Sequence, residues 1–229
     1  IEEILKARTV AKEKIFTDIQ DIESKELQEE VRNVVSSIEK TYGDTNYFVG
    51  NGSVAEVYEM PYAPHVCVKY LTNPKMAQEH GNNFREEVEY MNDLHGFAVE
   101  GVRIPNVYFY HTSDFGTCFG MEKIEGHSLN IIMEDPTKIS YLEEIKKQDM
   151  KTVIDNMKAF ITTMHTKHKI VHRDLSGRNI MVDKKGEWFV IDFGRAKRIE
   201  IGDDSTDISQ STDVATIESS IRNFYAKIA

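Results

Sequence analysis

The segment IVHRDLSGRNIMV, residues 170–182, places a charged triplet between two apolar clusters. The triplet is His172-Arg173-Asp174, and Asn179 follows five residues after the aspartate, directly before another apolar run. A chain that buries both apolar flanks has to turn the polar stretch outward as a short loop. The pattern therefore predicts a loop that the core holds on both sides and that carries an acid and an amide.

A second run, WFVIDFG, ends in Asp192-Phe193-Gly194, and Asp192 lies eighteen residues after Asp174. Together with IVHRDL and NIMVD, it predicts short strand-like runs that are broken by turns.

The chain before this region is dominated by strand patterns. Residues 47–70 contain YFVGNGSVAEVYEM and HVCVKYL, which are rich in Val, Tyr and Phe with glycines between them. They predict three strands joined by two turns. NNFREEVEYMNDLHG follows with apolar residues at helical spacing, and IPNVYFYHTS and TCFGMEKIEG predict two more strands.

The remaining segments have helical or loop character. Residues 139–168 keep a helical period, residues 199–212 are rich in Ser, Thr and Asp and predict a loop, and DVATIESSIRNFYAKI resumes a helical pattern. Strands early in the chain and helices later predict an α+β protein in two lobes.

Residues 1–45 predict helix, with a weaker amphipathic stretch over residues 2–19. Apolar residues recur at steps of three and four along the stronger part, namely Leu27, Val31, Val34, Val35, Ile38 and Tyr42. Such a face requires a cover, which is either the following domain or a partner protein.

Composition limits the class of protein. The 229 residues carry a formal net charge of −10, which argues against nucleic acid or an anionic membrane as a partner. No apolar run approaches the roughly 18 residues that span a bilayer. Cys67 and Cys118 lie in apolar, strand-like runs and predict core thiols in a reducing compartment, and hence a cytoplasmic protein.

Two further features are chemically suggestive. Gly50-Asn51-Gly52-Ser53 lies between two strand patterns, where a glycine-rich hairpin can fold its backbone N–H groups over phosphates. Lys69 ends an apolar strand, and an inward-facing cation needs an anion. Glu87 is preferred to Glu86 as this partner, because it precedes Val88 and stands seven residues before Leu94.

A glycine-rich hairpin, a strand Lys, a helix Glu, HRDLxxxxN and DFG therefore occur in this order. The ordered set resembles the protein-kinase superfamily over roughly residues 45–225. The resemblance implies an α+β, two-lobed kinase-like fold with a β-rich N-lobe and a truncated helical C-lobe, preceded by N-terminal helices. The implied domains are residues 1–45, 46–125 and 126–229.

The resemblance also assigns nucleotide contacts. Lys69 would hold the α- and β-phosphates of ATP and would be oriented by Glu87. The remaining implied nucleotide contacts are Gly50, Gly52, Ser53 and Val57, together with Met121 as gatekeeper and the backbone of Glu122 and Ile124 at the adenine.

The catalytic and metal roles follow from the same resemblance. Asp174 would align the acceptor hydroxyl and take its proton, and Asn179 and Asp192 would hold Mg²⁺. His172 is expected to be a packed structural residue. Arg173 has two candidate partners, a phosphorylated loop residue or a carboxylate on a later helix.

Three departures from the family's pattern make this an atypical member. Ala55 takes the place of the third glycine, Ser176 stands where serine/threonine kinases have lysine, and no APE motif follows DFG. Asp213, 21 residues after Asp192, would be the partner of Arg173 and would leave no room for a full activation segment. These features are similar to RIO-type kinases and to bacterial effector kinases of the OspG/NleH type.

The sequence thus predicts an ATP- and Mg²⁺-dependent phosphotransferase, foremost a protein Ser/Thr kinase. Alternatives are a RIO-like ATPase switch, a small-molecule kinase and a pseudokinase scaffold. The expected partners are a protein substrate and an activating protein that acts through the N-terminal helices or the N-lobe. An effector of this kind would be delivered into a host cytosol.

Overall fold

The computed structural model describes residues 22, 24–41, 45–79, 81, 83–113, 116–200 and 204–229. Contacts divide the chain into two compact units, of which the first comprises residues up to Val88 and Asn106–Lys123. The second comprises Glu89–Pro105 and Ile124–Ala229. Residues 89–105 thus group with the helical part of the chain, and the domain boundaries at residues 45 and 125 remain predictions.

The first unit is built on a five-stranded antiparallel sheet. Its strands are β1 (Phe48–Asn51), β2 (Ala55–Met60), β3 (Ala63–Leu71), β6 (Val107–Ser113) and β7 (Gly116–Glu122). Their order across the sheet is β1-β2-β3-β7-β6. The five strands predicted from Val-, Tyr- and Phe-rich runs all form, because such residues fit a half-buried pleated surface.

Helix α1 (Lys25–Thr41) covers one face of this sheet. Its Val31, Val34 and Ile38 are almost completely buried among sheet residues such as Val66 and Val68. Burying each of these side chains contributes about 1.5–3 kcal/mol. The predicted apolar face of the N-terminal helix is therefore covered by the following strands, whereas residues 2–19 and Tyr42 lie outside the described residues.

A polar anchor fixes α1 at the start of β3. The Glu30 carboxylate accepts a hydrogen bond from the His65 backbone N–H at 3.1 Å and lies 2.8 Å from His65 Nδ1. The Tyr70 hydroxyl donates to the Ile38 carbonyl at 2.9 Å. These contacts set how the helix crosses the sheet.

The opposite face of β3 carries Cys67 and Lys69, because side chains alternate along a strand. Cys67 and Cys118 are both buried free thiols, as their apolar surroundings predicted. Burial raises the pKa of each thiol to about 12, so both stay protonated at neutral pH.

Two short helices follow the first three strands. Helix α2 (Pro74–Glu79) follows β3, and α3 (Phe84–Asp93) contains the boundary between the two units.

The second unit combines a small sheet with helices. Its sheet has the order β4-β5-β11-β10-β8, and a separate two-stranded ribbon pairs β9 with β12. These strands are β4 (Ala98–Val99), β5 (Val102–Arg103), β8 (Gly126–Ser128), β9 (Ile170–Val171), β10 (Ile180–Asp183), β11 (Trp188–Val190) and β12 (Lys197–Arg198).

The helices of this unit are α4 (Leu129–Glu134), α5 (Leu142–Lys146), α6 (Met150–Thr163) and α7 (Asp204–Ile228). The helical stretch predicted over residues 139–168 is interrupted before Met150, where Asp149 caps α6 by accepting from the Thr152 N–H. A π-helical turn over Met164–His168 ends that stretch.

The loop predicted for residues 199–212 is wrong beyond residue 203, because α7 already begins at Asp204. The helix is held by its later half, where Ile217, Ile221, Phe224 and Ile228 are buried. Among the described residues, no helix is both long and apolar enough to cross a membrane.

Candidate active site

The glycine-rich hairpin joins β1 to β2 in the first unit. The Gly52 N–H donates to the Ala55 carbonyl at 2.8 Å and closes the turn. Neither Gly50 nor Gly52 has a positive φ, and an added Cβ on either would meet no described atom closer than 4.0 Å. The chain's own packing therefore does not require these glycines, and their backbone is open to a close ligand.

Lys69 and Glu87 form a buried ion pair in the same unit. Lys69 Nζ lies 2.7 Å from Glu87 Oε1, and the residues are only 8% and 1% exposed. The ammonium also lies over the rings of Phe84 and Phe119, at 5.4 and 5.7 Å from their centroids. Glu86 is exposed, so the preference for Glu87 as the partner of Lys69 agrees with the geometry.

The remaining predicted nucleotide contacts occupy strands and their ends. Val57 lies opposite Lys69 in the β2–β3 register, Ser53 is exposed in the hairpin, and Met121 lies opposite Cys67 in the β3–β7 register. The Glu122 N–H donates to the Asn106 carbonyl at 2.8 Å, and the Glu122 carbonyl accepts from the Cys67 thiol at 3.7 Å. A carbonyl has two lone pairs, so the second could still accept from a base.

Ile124 begins the second stretch of the second unit. Its carbonyl accepts from the Gly126 N–H at 2.9 Å, so its N–H is the backbone group that it could offer to a base.

In the second unit, Asp174 and Asn179 close a tight loop after β9. The Asp174 carbonyl accepts from the Ser176 N–H at 2.9 Å and from Asn179 Nδ2 at 2.8 Å. Gly177 lies against α4, where a Cβ would come within 2.6 Å of Asn130 Oδ1. The loop is thus held by its own backbone and by a close helix contact.

Asp213 of α7 fixes the beginning of this loop. Its carboxylate is 1% exposed and accepts from the backbone N–H groups of His172 and Arg173, both at 2.8 Å. His165 Nε2 lies 3.1 Å from the same carboxylate. Ionised carboxylates form stronger hydrogen bonds than neutral groups, so this contact holds the loop firmly.

The predicted pairing of Arg173 with Asp213 occurs through the backbone. The Arg173 side chain is exposed, and the residue has a φ of 68°. Among the described residues, the Arg173 N–H and not its guanidinium bonds to the Asp213 carboxylate. His165, which the sequence analysis missed, gave no signal beyond its place beside the periodic Met164.

His172 is a packed structural residue, as predicted. It is fully buried, its Nε2 donates to the Ile191 carbonyl at 3.0 Å, and its Nδ1 accepts from the Asp174 N–H at 3.3 Å. This arrangement requires the neutral imidazole. Burial lowers the pKa of His172, and the nearby Asp213 carboxylate offsets part of that effect.

Asn179 and Asp192 are brought close along paired strands. Ile180 lies opposite Val190 in the β10–β11 register, and the Ile191 N–H donates to the Asn179 carbonyl at 3.0 Å. Asn179 Nδ2 is engaged with Asp174, so Oδ1 is its remaining coordinating atom. An amide oxygen and a carboxylate suit a hard cation, and the donor set therefore fits Mg²⁺.

The antiparallel sheet with its buried Lys–Glu pair and the helical unit with its Asp174 loop define a two-lobed, kinase-like α+β fold. The family model described as "Protein kinase domain" matches residues 44–217, about three quarters of the chain. The chain belongs to the protein kinase family.

Several curated kinases are similar to this chain. It is 31% identical over 165 residues to a probable LRR receptor-like serine/threonine-protein kinase of Arabidopsis thaliana, covering 68% of this chain and 14% of that protein. It is 25% identical to mitogen-activated protein kinase kinase kinase 3 of the same plant, covering 66% of this chain and 24% of that protein. A probable serine/threonine-protein kinase, mkcF, of Dictyostelium discoideum is 28% identical, with 75% and 24% covered.

This chain therefore spans only 14% to 24% of the length of these relatives. The similarity to RIO-type and bacterial effector kinases remains a prediction from the sequence.

Proposed function

We propose that this domain transfers the γ-phosphoryl group of ATP to a Ser or Thr hydroxyl of a protein, with Mg²⁺ as cofactor. The observation that carries the proposal is the state of Asp174. Its backbone is held by the loop contacts described above, yet its half-buried carboxylate has no hydrogen bond or ion pair among the described residues. A carboxylate held rigidly without an internal partner is suited to an incoming hydroxyl.

The roles of the other residues support this assignment. Lys69, which is paired with Glu87, would bind the α- and β-phosphates. Asn179 and Asp192 would hold Mg²⁺, which neutralises phosphate charge when bound. Gly50, Gly52, Ser53 and Val57 lie along the nucleotide. The acceptor oxygen forms a bond to the γ-phosphorus, its proton passes to Asp174, and ADP leaves.

The serine/threonine preference rests on the relatives, two of which are named as serine/threonine-protein kinases. To test the proposal, the protein is incubated with labelled ATP and Mg²⁺, with and without a generic protein substrate. We expect label on protein Ser or Thr in the wild type and none in Asp192→Ala or Asp174→Asn. Asp155→Asn, an exposed carboxylate that pairs with Lys151, serves as the control and should retain transfer.

Release of free phosphate without labelled protein would contradict the proposal and favour an ATPase switch. Nucleotide binding without any turnover would favour a pseudokinase scaffold, and labelling of small metabolites alone would favour a small-molecule kinase.

Ser176 gives the ATPase alternative a specific basis. Ser176 cannot supply the cation that serine/threonine kinases place two residues after the catalytic aspartate, and its buried Oγ has no hydrogen-bond partner among the described residues. One fewer positive charge at the transferring group predicts slower transfer. A single-turnover assay that measures labelled peptide and free phosphate together tests this, and fast stoichiometric transfer would contradict it.

A further inference from the structure

His111 of β6 is a buried histidine whose imidazole makes no hydrogen bond. The residue is only 9% exposed, and neither Nδ1 nor Nε2 has a partner among the described residues. The other buried histidines of the described chain do have partners, since His165 lies against Asp213 and His172 against the Ile191 carbonyl. Buried polar side chains rarely lack a partner, and one that does can mark the place of a bound ion.

The residue directly opposite His111 in the sheet is Cys118. The register of β6 and β7 pairs the two residues, so their side chains leave the same face with Cβ atoms about 4.5–5.5 Å apart. Cys118 is 2% exposed and its thiol is free. The sheet therefore holds an imidazole and a thiol side by side in its interior, and the proposed phosphotransfer uses neither.

This pair lies on the face of the sheet that α1 covers. Cys118 lies opposite Tyr70 in the β3–β7 register, and Tyr70 points away from the face of Lys69, because successive side chains alternate along β3. Tyr70 and Cys118 belong to the same core cluster as Ile38 of α1. The pair is thus separate from the proposed nucleotide contacts, and what it binds does not depend on the proposed function.

The apolar surroundings restrict the charge of a ligand at this pair. Burial raises the pKa of the Cys118 thiol to about 12, so a ligand that bonds to the sulfur has to displace the proton, as metal ions do from thiols. A thiolate and a neutral imidazole together compensate one positive charge. A divalent ion would leave a net charge in the core, which is costly, so the pair favours a monovalent ion.

The number of ligands points to the same kind of ion. Within the described part of the chain, no three His, Cys, Asp or Glu side chains come together as a metal site. Structural Zn²⁺ takes four protein ligands, which this place does not supply. Thiolate ligands select soft ions such as Cu(I), which is monovalent and accepts two ligands.

We propose that His111 and Cys118 bind one Cu(I) ion, through an imidazole nitrogen and the sulfur Sγ. The S–H bond of Cys118 breaks, its proton passes to solvent and a copper–sulfur bond forms. Copper stays monovalent, so no electron is transferred. The complex is neutral, gives the imidazole a partner and links β6 to β7. Because β6 is an outer strand of its sheet, the ion can enter from the sheet edge.

Binding is measured on the whole chain by competition for Cu(I) with the chromophoric chelator bicinchoninate, under reducing and anaerobic conditions. We expect the wild type to take up one Cu(I), with one sulfur and one nitrogen ligand in the X-ray absorption spectrum of copper. Cys118→Ala and His111→Leu should each weaken binding by about a hundredfold or more. Each removes one of two ligands, and even the loss of an outer-shell partner costs about 10- to 100-fold.

The matched control is Cys67→Ala. Cys67 is the other buried thiol of the sheet, lies on the opposite face and faces the thioether of Met121 across β3 and β7, which makes it the rival soft site. We expect Cys67→Ala to bind Cu(I) like the wild type. Zn²⁺ should bind the wild type and His111→Leu equally.

Thermal unfolding shows whether the ion binds the folded sheet. One equivalent of Cu(I) should raise the unfolding temperature of the wild type and of Cys67→Ala, since a ligand that prefers the folded state stabilises it. It should not raise that of His111→Leu. Without metal, His111→Leu should unfold at a temperature no lower than the wild type, because it removes a buried polar group without a partner, so its loss of Cu(I) cannot come from misfolding.

Equal Cu(I) affinity of the wild type and His111→Leu would overturn the inference. So would a loss in Cys67→Ala that Cys118→Ala does not share, which would place copper at the rival site. An unfolding temperature of the wild type that bound Cu(I) leaves unchanged, or a larger loss for Zn²⁺ than for Cu(I) in His111→Leu, would also contradict it. None of these readouts involves ATP, so each outcome leaves the proposed function to its own test.

Discussion

Asp174 and Asp213, two aspartates at the loop that follows β9, have opposite environments. Asp213 is buried and accepts from two backbone N–H groups and from His165, whereas the Asp174 carboxylate has no such contact within the described residues. A buried, fully bonded carboxylate stabilises a fold, and a partly exposed carboxylate on a rigid loop can react. The surroundings of the two carboxylates therefore separate the structural Asp213 from Asp174, which we propose to be catalytic, although both lie in polar sequence.

The buried Lys69–Glu87 ion pair predicts that a single substitution strongly lowers the free energy of unfolding. Glu87→Gln removes the carboxylate charge 2.7 Å from the buried Lys69 ammonium, so we expect the free energy of unfolding to fall by about 3–5 kcal/mol and phosphotransfer to be lost. Glu86→Gln, an exposed neighbour on the same helix, should change stability by less than about 0.5 kcal/mol. Urea unfolding measures both, and similar losses in the two variants would contradict the prediction.

Replacing Ser176 or Ser128 by alanine is expected to change the free energy of unfolding in opposite directions. The Ser176 hydroxyl is buried without a partner among the described residues, so Ser176→Ala should raise the free energy of unfolding by about 1 kcal/mol. Ser128 caps α4 through the Ile131 N–H, so Ser128→Ala should lower it by about 1 kcal/mol. Thermal unfolding compares the two variants, and a loss in Ser176→Ala would indicate a partner for this hydroxyl.

His172 predicts a loss of stability in acid. Burial lowers its pKa in the folded protein below the ordinary 6.5, so the unfolded chain binds the proton more readily. The stabilisation is complete above about pH 6.5 and falls as the pH drops below that value, by at most about 1.4 kcal/mol per pH unit. Urea unfolding at several pH values should show this slope in the wild type and a smaller slope in His172→Asn.

At the scale of elements, α1 is part of the first unit's core. We expect Ile38→Ala to lower the free energy of unfolding by about 2–4 kcal/mol, because it opens a cavity between the helix and the sheet. Arg32→Ala, on the exposed side of the same helix, should have almost no effect on the free energy of unfolding.

Deleting residues 1–44 should reduce activity, because it removes α1 and destabilises the sheet that holds Lys69. Unchanged turnover would contradict this role.

The strands and the pairing of Lys69 with Glu87 could be predicted because local pattern decides them. Alternation along β3 separates Val66 and Val68 from Lys69, and helical spacing selects Glu87 over Glu86. The beginning of α7 could not be predicted. Its first turns are rich in Ser, Thr and Asp, which are poor helix formers, and Ile208 there is 68% exposed. That part of the helix precedes the helical pattern of DVATIESSIRNFYAKI, and its own residues carry no apolar spacing that indicates where the helix begins.

At the scale of the whole molecule, the net charge of the chain and the local charge of Lys69 act on ATP in opposite directions. The chain carries 28 Lys and Arg against 38 Asp and Glu, so it repels free ATP at long range. Lys69, which we propose to bind the phosphates, would attract them only at short range, and its burial shields it from salt.

This balance predicts the salt dependence of nucleotide binding. Raising the ionic strength from about 0.01 to about 0.1 M shortens the screening length from about 30 to about 10 Å. We expect metal-free ATP to bind more tightly at the higher salt, since repulsion is screened, and Mg²⁺-bound ATP to change less because it carries less charge. Calorimetric titration measures both, and weaker binding of metal-free ATP at the higher salt would contradict the prediction.

The two buried cysteines give the first unit a built-in chemical reporter. Cys67 and Cys118 both lie in its sheet, and with a thiol pKa of about 12 neither offers a thiolate to an alkylating reagent at neutral pH. Alkylation therefore requires that the sheet open. Because the second unit contains no cysteine, the rate at which the chain gains mass from such a reagent measures how often this sheet alone opens. A bound nucleotide that steadies this sheet can then be detected as slower alkylation, without any measurement of catalysis.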